Sequence, residues 1–341
     1  MSWFTSEGKC PHHVIRSQTR YARNPADARF SVKAEKKLID QFFEKAEALL
    51  VKNGFRKEIL PEGALPEVIA LAEKGFIDRD FLLYEGRRSL FFNEPCNLAV
   101  SLGGNDLINI RSLLAGNSVS ETRNIASGAE ELLDREFEFA YSDALGYISN
   151  SPATCGSGVE FSSVLYLPSL RLNESAEKLR YQCAIIGARL FPLLSDQGGD
   201  LYLLSHSPAP FSSEVRAAQS FSTLITKIVE DEESAERIIF AERDKIIIDR
   251  AWRAYGVLTN AKILSENDML SLSSDIRFAL AVCKDTSALP PVSISALNLL
   301  LADGLNSSVI ASCRECKSAI DCDCARADFV HKKLSPTEIL T

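Results

Sequence analysis

The sequence lacks any apolar run that approaches the roughly 20 residues needed to cross a bilayer. Its first residues also lack the apolar stretch and the small-residue cleavage site of a signal peptide. It contains only 2 tryptophans and 2 methionines, no low-complexity linker, and no repeat with a period of roughly 20 to 50 residues. These absences argue against a membrane, secreted or repeat protein. They predict a cytoplasmic protein with no membrane partner.

The composition is typical of a soluble globular protein, because 46% of the 341 residues are apolar and 25% are charged. A chain of this length predicts about two domains. Lys and Arg number 38 and Asp and Glu number 46, which gives a net charge of -8. This acidic balance argues against a nucleic-acid partner, which would need a basic face. In a reducing compartment the 9 cysteines are expected to be free thiols or metal ligands.

The hydrophobic periodicity predicts a mixed α/β body followed by an almost wholly helical part. Residues 33–52 repeat apolar side chains at three- and four-residue spacing, which is typical of an amphipathic helix. Short strand-like runs lie between about 88 and 114, and the pattern is helical from about 213 onward. Capping boxes predict helix starts at Ser118 and Ser265. Further expected elements are a helix at 66–74, a strand at 161–167, a helix at 174–187 and a strand at 201–204.

Three segments match one enzyme family in order and spacing. Residues 16–24, Arg-Ser-Gln-Thr-Arg-Tyr-Ala-Arg-Asn, resemble the S-S-R-I-R-L-A-R-N signature of the ATP:guanido phosphotransferases. Residues 146–158 resemble the family's G-Y-L-T-S-C-P-T-N-x-G-T-G run. Residues 249–260 are similar to the bacterial protein-arginine kinases in particular. By this resemblance the sequence is identified as a member of the family, close to the protein-arginine kinases.

The resemblance implies an α+β fold, in which a guanido-kinase-like antiparallel sheet is flanked by helices and followed by a helical C-terminal domain. The kinase-like domain is expected to cover residues 13–243 and to include an N-terminal helical part at about 30–85. Residues 244–341 are expected to form the helical C-terminal domain. The resemblance implies a phosphoarginine-receptor and dimerisation region there.

The family transfers a phosphoryl group from ATP to a guanidinium nitrogen, and this chemistry sets two requirements. Several arginines must hold the triphosphate and neutralise the charge that develops on the transferred group. Two carboxylates must orient the guanidinium, and one must take its proton, because a guanidinium with a pKa above about 12 is not a nucleophile. The implied cofactors are ATP and Mg²⁺ if the protein is active.

Most family positions that meet these requirements carry other residues here. The catalytic glutamate falls on Asn105, the second carboxylate on Leu193, and the cysteine beside the guanidinium site on Ser151. Three phosphate-binding arginines are replaced by Gln18, Asn109 and Glu160. The remaining candidates for nucleotide binding are Ser17, Arg20, Ser162 and, with a one-residue shift, Arg189.

The loss of one preorganised electrostatic group typically lowers a rate about 10²- to 10³-fold. The loss of two carboxylates and several arginines therefore predicts a catalytically impaired protein, a pseudokinase. One alternative is an active ATP-dependent protein-arginine kinase that uses the displaced residues Arg111, Arg189 and Asp106. Another is an adaptor that depends on a metal or on redox chemistry.

A second motif lies near the C-terminus. The segment Cys322–Ala327 resembles the R-D-x-x-R-A motif with which protein-arginine kinases recognise phosphoarginine. Asp323, Arg326 and Ala327 match the motif, and Cys322 replaces its first arginine. The resemblance implies that these three residues bind phosphoarginine, because a carboxylate accepts from the guanidinium and an arginine pairs with the phosphoryl group. The alternative is a solvated helix face.

Four cysteines, Cys313, Cys316, Cys322 and Cys324, lie within a span of twelve residues that overlaps this motif. Four thiols could bind Zn²⁺ in a tetrahedral site. If residues 320–331 are helical, however, Cys322 and Cys324 point about 200° apart and cannot both face one ion. A redox-sensitive thiol cluster and unliganded cysteines are the other interpretations.

The resemblance also implies a biological setting. A catalytically impaired relative of the protein-arginine kinases would be a regulator in the bacterial stress response and protein quality control. Its implied partners are Clp-type machinery or an active kinase paralogue, and the C-terminal domain is implied to form a homodimer.

Overall fold

The protein consists of two structural units, each built from several separate segments of the sequence. The computed structural model describes residues 3–26, 36–61, 65–150, 155–169, 176–193, 200–313 and 316–335. The chain separates into two units by its contacts. The first unit comprises Met1–Trp3, Arg16–Ser163 and Ser205–Leu224. The second unit comprises Phe4–Ile15, Val164–Leu204 and Ile225–Thr341.

Apolar strands separated by turns form the sheet, as the sequence pattern predicts. The strands are β1 Val14–Arg23, β2 Arg56–Glu58, β3 Ser89–Phe92, β4 Leu98–Leu102, β5 Ile108–Ala115, β6 Tyr141–Ser142, β7 Gly146–Tyr147, β8 Val159–Tyr166, β9 Ala188–Pro192 and β10 Leu201–His206. In the first unit the order is β2-β3-β4-β5-β1-β8. The pairs β2–β3, β3–β4, β4–β5 and β1–β5 are antiparallel. In the second unit β10 lies between β8 and β9.

Helices cover the sheet and continue to the C-terminus. They are α1 Lys36–Lys52, α2 Pro66–Glu73, α3 Arg79–Leu83, α4 Val119–Phe137, α5 Ala176–Ile185, α6 Glu214–Asn260, α7 Glu266–Val282, α8 Ile294–Asp303, α9 Asn306–Ser312 and α10 Ala319–Leu334. In the first unit α4 packs on β5, and in the second α5 packs on β9. The α+β fold and the helical C-terminal region are confirmed.

The core of the first unit contains the residues that gave the sequence its periodicity. Fully buried apolar side chains include Phe43 and Leu50 of α1, Leu90 and Phe91 of β3, and Leu102, Ile108 and Ile110 of β4 and β5. Burial of a large apolar side chain contributes about 1.5–3 kcal/mol each relative to exposure. The sheet residues between these positions are therefore fixed in orientation.

Of the two predicted helix N-caps, Ser265 and Ser118, only Ser265 makes the expected hydrogen bond. The Ser265 side chain accepts a hydrogen bond from the Asp268 N–H at 3.1 Å, as its capping box predicts. Ser118 is the residue before α4, but its side chain makes no cap hydrogen bond. Its hydroxyl instead donates to the Ala115 carbonyl at 2.9 Å. The predicted helix start is right, whereas the predicted capping interaction is wrong.

Helix α6 is continuous except at Arg243, whose backbone angles of φ −139° and ψ 24° are not helical. The sequence-based domain boundary between residues 243 and 244 remains a prediction. The C-terminal end of α6 and the helices that follow share one apolar core. Its fully buried members include Leu258, Met269, Ile276, Leu297, Leu300 and Val330.

No single helix in the described segments is both long and apolar enough to cross a membrane. Helices α8 and α9 meet that test only as a pair, bent by 77°. Their inward residues, such as Leu297, Leu300 and Val309, are buried.

The second unit buries a small group of ionisable side chains. His13 Nε2 lies 2.8 Å from Glu236 Oε2, and both side chains are almost fully buried. One turn earlier on α6, Glu232 accepts a hydrogen bond from the Ser169 N–H at 2.6 Å. Burial, assisted by the charge of Glu236, raises the pKa of Glu232 to about 7, although Ser169 and His13 act in the opposite direction.

This raised pKa predicts a stability that depends on pH. A carboxyl group that is harder to ionise in the folded state stabilises the fold below its ordinary pKa, and this contribution is lost as the pH rises through about 7. Glu232→Gln should therefore match the wild type near pH 5 and exceed its free energy of unfolding by about 1–3 kcal/mol near pH 9. Urea denaturation at both pH values measures the difference. Glu230→Gln, an exposed substitution on the same helix, is the control. A constant difference at both pH values would contradict the prediction.

Candidate active site

The register of β1 and β5 places several polar residues on one face of the sheet. Arg20 lies directly opposite Arg111, and Ala22 lies opposite Asn109. Directly opposed residues of an antiparallel pair point to the same side of the sheet. We call the surface formed by Arg16, Arg20 and Arg111, with the side chains that contact them, the arginine face. It lies wholly within the first unit.

Arg20 is held by three side chains of the chain itself. Its Nε and Nη2 donate to Asn109 Oδ1 at 3.0 and 2.8 Å. Its Nη2 lies 3.3 Å from Asp78 Oδ2, and its Nη1 lies 3.7 Å from Glu160 Oε2. Two carboxylates therefore face the guanidinium that the motif predicts as a phosphate ligand.

Asp78 links this face to helix α3. Its Oδ1 caps the helix by accepting from the Phe81 N–H at 2.8 Å. Its Oδ2 accepts a hydrogen bond from Arg111 Nη2. Burial alone would raise the pKa of Asp78, but the charges of Arg111 and Arg20 outweigh it and hold the pKa below its usual value. Asp78 is therefore an anion at neutral pH.

Arg111 and Arg16, the buried arginines of the arginine face, have few acidic partners. Arg111 is only 2% exposed, and among the described residues its Nη1 has no hydrogen-bond partner. Burial lowers the pKa of Arg111, although the charge of Asp78 opposes this. Burial, followed by the charge of Arg111, lowers the pKa of Arg16 to about 10. The face keeps some positive character at its buried end.

Gln18 falls where the family has an arginine, and Arg16 lies two residues before it on the same face of β1. Its Nη1 donates to Gln18 Oε1 at 2.7 Å, and its guanidinium carbon lies 5.5 Å from the centroid of the Trp3 ring. Gly75, with φ of +87°, leaves room for it, because a Cβ there would lie 2.3 Å from Arg16 Nη1. The side-chain oxygen of Gln18 is therefore already hydrogen-bonded to Arg16 of the same chain.

Another arginine of the first motif has a structural role. Arg23 donates from Nε to Glu130 Oε1 at 2.9 Å, and its guanidinium carbon lies 3.5 Å from the Tyr147 ring centroid. Gly158, with φ of +59°, is required beside it, because a Cβ there would lie 2.3 Å from Arg23 Nη1. The first motif and the glycine-rich motif therefore meet through a buried arginine.

Asn105 and Asp106 lie at and beside the position that the resemblance gives to the first carboxylate. Asn105 is exposed and carries a neutral amide. The neighbouring Asp106, proposed above as a displaced base, is buried. It accepts hydrogen bonds from Asn24 Nδ2 at 2.8 Å, from Ser149 Oγ at 2.9 Å and from the Asn150 N–H at 3.0 Å. Asp106 therefore holds loop segments together, which argues against a role as a displaced base.

The two serine candidates lie in different environments. Ser17 is fully buried, donates to the Gly116 carbonyl at 2.7 Å, and accepts from the Ser118 N–H at 3.2 Å. Because neighbouring residues of a strand point to opposite faces, Ser17 lies on the side opposite Arg16 and Arg20. This geometry argues against Ser17 and Arg20 binding the same nucleotide, and the assignment of Ser17 stays a prediction. Ser162 is 8% exposed and shares a face of β8 with Glu160.

The remaining family positions lie in the second unit or outside the described residues. Arg189 is an exposed residue of β9. Leu193 follows β9 and is 37% exposed, and its N–H donates to the Leu201 carbonyl at 2.9 Å. Ser151 falls in 151–154 and lies outside the described residues.

Sequence reasoning missed two residues of the arginine face, Asp78 and Arg16. Asp78 is far from the family motifs in sequence, and its only local signal is a carboxylate at the start of a short helix. Arg16 could have been found from strand alternation, because it lies two residues before Gln18 on the same face.

Comparisons with protein families identify the fold. Residues 64–235 match the model of the "ATP:guanido phosphotransferase, C-terminal catalytic domain". The chain belongs to the ATP:guanido phosphotransferase family. Residues 244–339 match the "Protein-arginine kinase McsB C-terminal domain", which places the chain with the protein-arginine kinases of that family.

Relatives of known name agree with this placement. The chain is 24% identical over 343 residues to the protein-arginine kinase of Syntrophomonas wolfei, covering 95% of this chain and 92% of that one. It is 28% identical over 289 residues to the protein-arginine kinase of an Exiguobacterium species, covering 82% and 81%.

Two solved structures share the fold at lower identity. Lombricine kinase is 14% identical, with a TM-score of 0.54 and coverage of 68% of this chain and 69% of that one. The duplicated taurocyamine kinase of Schistosoma mansoni is 18% identical, with a TM-score of 0.57 over 67% of this chain. This chain spans only 35% of that duplicated enzyme.

The arginine face does not fit the ATP and Mg²⁺ that the kinase family uses. A triphosphate needs guanidinium groups with N–H donors that are not already paired with carboxylates. Arg20 faces Asp78 and Glu160, and Arg111 faces Asp78. A polyphosphate that bound to these arginines would have to displace Asp78 and Glu160 or lie next to their negative charges.

The residues that match the phosphoarginine motif lie in the second unit, where Arg326 makes hydrogen bonds within the chain. Arg326 is fully buried and donates to the Gly304 and Leu264 carbonyls, each at 2.8 Å. It also donates to Asp323 Oδ1 at 2.5 Å and to Asn306 Oδ1. Ala327 is 1% exposed. A phosphoryl group could reach Arg326 only by breaking these bonds, so the structure argues against Asp323, Arg326 and Ala327 as a preformed receptor.

The cysteine cluster does not form the expected zinc site. Among the described residues, no group of three or more His, Cys, Asp or Glu side chains is arranged to hold a metal ion. Cys322 is buried, whereas Cys313, Cys316 and Cys324 are half-buried. Cys322 and Cys324 both lie in helix α10. Because residues two positions apart on a helix point in different directions, these two side chains diverge. The four-cysteine zinc prediction is therefore not supported.

Proposed function

We propose that this chain is a catalytically impaired member of the protein-arginine kinases, a pseudokinase that acts as a regulator. One observation carries the proposal. Two of the three guanidinium groups of the arginine face, those of Arg20 and Arg111, are paired with the chain's own carboxylates Asp78 and Glu160. By the family resemblance, Arg20 is a candidate for nucleotide binding, and these acids face its guanidinium.

The absence of a base supports the same proposal. Transfer to arginine requires removal of a proton from a guanidinium, and Asn105 and Leu193 cannot accept one. Asp106 is buried and already accepts three hydrogen bonds. These observations support a chain that lacks a base for phosphoryl transfer to arginine.

A regulator without catalysis would act through other proteins. Family resemblance favours a cytoplasmic role in bacterial stress response and protein quality control, with Clp-type machinery or an active kinase paralogue as partner. A homodimer formed through the C-terminal helices is part of the same proposal.

The experiment that tests the proposal is a phosphoarginine assay. The purified chain is incubated with ATP, Mg²⁺ and an arginine-rich protein, and phosphoarginine is measured by mass spectrometry under conditions that preserve the N–P bond. We expect no product above the ATP-only background in the wild type or in Arg20→Ala. Product that forms in the wild type and disappears in Arg20→Ala would support the alternative of an active kinase.

A further inference from the structure

The second unit contains a cleft whose lining residues belong to none of the sites described above. It is formed by the end of β8, by Asp200 and by helices α6 and α7. All of its lining residues lie in the second unit. Its volume, about 100 Å³, is several times the roughly 10–15 Å³ that one water molecule needs. The cleft therefore has room for a small organic molecule.

One wall of the cleft is apolar. It is lined by Ile239, Ile246 and Ile247 of α6 and by Phe278 of α7. Ile239 and Phe278 pack in turn against a buried cluster that includes Ile247 and Ala251, so the wall rests on a core. Ile246 is 61% exposed. A ligand that covers this wall removes apolar surface from water, which favours binding.

The polar lining of the cleft includes a cation that can meet an anion. Within the described segments, Arg243 forms neither a hydrogen bond nor an ion pair. Arg250 pairs with Asp275 at 2.6 Å, so these two charges largely compensate each other. Asp200 Oδ2 accepts a hydrogen bond from Ser274 Oγ at 2.9 Å. Arg243 is therefore available to pair with the anionic group of a ligand.

A buried arginine beside the cleft adds to its positive potential. Arg277 is 3% exposed, and its guanidinium carbon lies 5.7 Å from the ring centroid of Tyr166, which lines the cleft. Its Nη2 donates to Asn298 Oδ1 at 2.6 Å, but among the described residues Nη1 has no hydrogen-bond partner and the guanidinium has no carboxylate partner. Burial lowers the pKa of Arg277 to about 10, which leaves it a cation at neutral pH. A buried charge without a counterion is stabilised by a nearby anion.

We propose that this cleft binds a small aliphatic carboxylic acid. The carboxylate pairs with the guanidinium of Arg243, whose N–H donors match the geometry of a carboxylate. The aliphatic body covers Ile246 and contacts Ile239 and Phe278. Counting Arg277, three arginines and two aspartates surround the cleft and leave one positive charge in excess. This excess favours an anion over a neutral molecule of the same shape, and the apolar wall favours an aliphatic acid over an inorganic anion.

Calorimetric titration of the full chain with isocaproate tests the proposal. Two further probes each lack one feature of this ligand. Isocaproamide keeps the branched body without the charge, and acetate keeps the charge without the body. We expect saturable binding of isocaproate in the millimolar range and at least about 10-fold weaker binding of both comparison probes, since each loses one of the two contributions.

Substitutions at exposed positions of α6 test the two walls separately. Arg243→Ala should weaken isocaproate binding about 10-fold, and Arg243→Lys, which keeps the charge, should weaken it less. Arg237→Ala removes an exposed arginine that pairs with Glu233 on the same helix, and it is the matched control. Ile246→Ser should weaken binding about 3- to 10-fold because it removes apolar contact. Its control is Ile238→Ser, at a position that is 66% exposed and outside the lining.

One substitution should raise the affinity, which loss of folding cannot do. Asp275→Asn removes the carboxylate that pairs with Arg250 and so adds to the positive charge of the lining. Isocaproate should then bind about 3- to 10-fold more tightly, whereas the affinity for isocaproamide should not change.

Three results would overturn the proposal. They are the lack of saturable isocaproate binding by the wild type, equal binding of isocaproate and isocaproamide, and binding that is unchanged in both Arg243→Ala and Ile246→Ser. None of these results depends on whether the chain binds ATP or transfers a phosphoryl group.

Discussion

Phosphoryl transfer from ATP to protein arginine by this chain is expected to be at least about 10⁴-fold slower than by a protein-arginine kinase that keeps both carboxylates and the phosphate-binding arginines. One lost electrostatic group costs about 10²- to 10³-fold in rate. By the family resemblance, Asn105 and Leu193 fall at the carboxylate positions and Glu160 at an arginine position. Because the effects of such losses do not simply multiply, we take about 10⁴-fold as a lower bound on the loss of rate and do not use the product of the individual factors.

The rate comparison includes a partial restoration. Asn105→Glu returns one carboxylate but leaves Arg20 and Arg111 paired with acids. We therefore expect it to produce no measurable increase in phosphoarginine. A wild-type rate within about 10-fold of an active relative would contradict the account, and so would a large gain from Asn105→Glu alone.

Removal of the Arg326 guanidinium is expected to destabilise the second unit by about 3–5 kcal/mol. Arg326 is fully buried and donates to the Gly304 and Leu264 carbonyls and to Asp323. Arg326→Ala would leave these acceptors without donors inside the protein, and each buried unsatisfied group costs about 1–3 kcal/mol. Urea denaturation followed by circular dichroism measures the loss.

A matched arginine separates this effect from a simple change of charge. Arg253 pairs with Asp249 one turn away on α6 but is exposed, so Arg253→Ala should leave the free energy of unfolding almost unchanged. A phosphoarginine receptor predicts a different pattern, in which Arg326→Ala unfolds like the wild type and loses only ligand binding. That pattern would show that the buried hydrogen bonds do not hold α10.

The sequence predicted the fold where local patterns decide it. Alternation and apolar runs between 88 and 114 became β3, β4 and β5, and the three- and four-residue spacing before Lys52 became α1. The family resemblance supplied the arrangement of these elements, which periodicity alone does not determine.

The candidate site was less predictable because its charges come from distant parts of the chain. Asp78 meets Arg111 across 33 residues and acts in addition as a helix cap, and neither property belongs to a motif. Arg326 matched a binding motif by type, yet its role is set by carbonyls that lie 22 and 62 residues away. A side-chain type in a motif indicates a chemical capacity, whereas its partners in space decide how that capacity is used.

Titration of the chain with Mg-ATP by calorimetry tests the central claim most directly, namely that Asp78 and Glu160 pair with Arg20 and Arg111 and so oppose the binding of a triphosphate. The wild type should show no saturable binding up to millimolar nucleotide. Glu160→Arg removes a repulsive charge and adds a donor, and should raise affinity about 10- to 100-fold, the worth of one charge-assisted interaction. Glu136→Arg makes the same change of charge at an exposed position of α4 and should have no effect. Tight, saturable binding by the wild type that is lost in Arg20→Ala would contradict the claim.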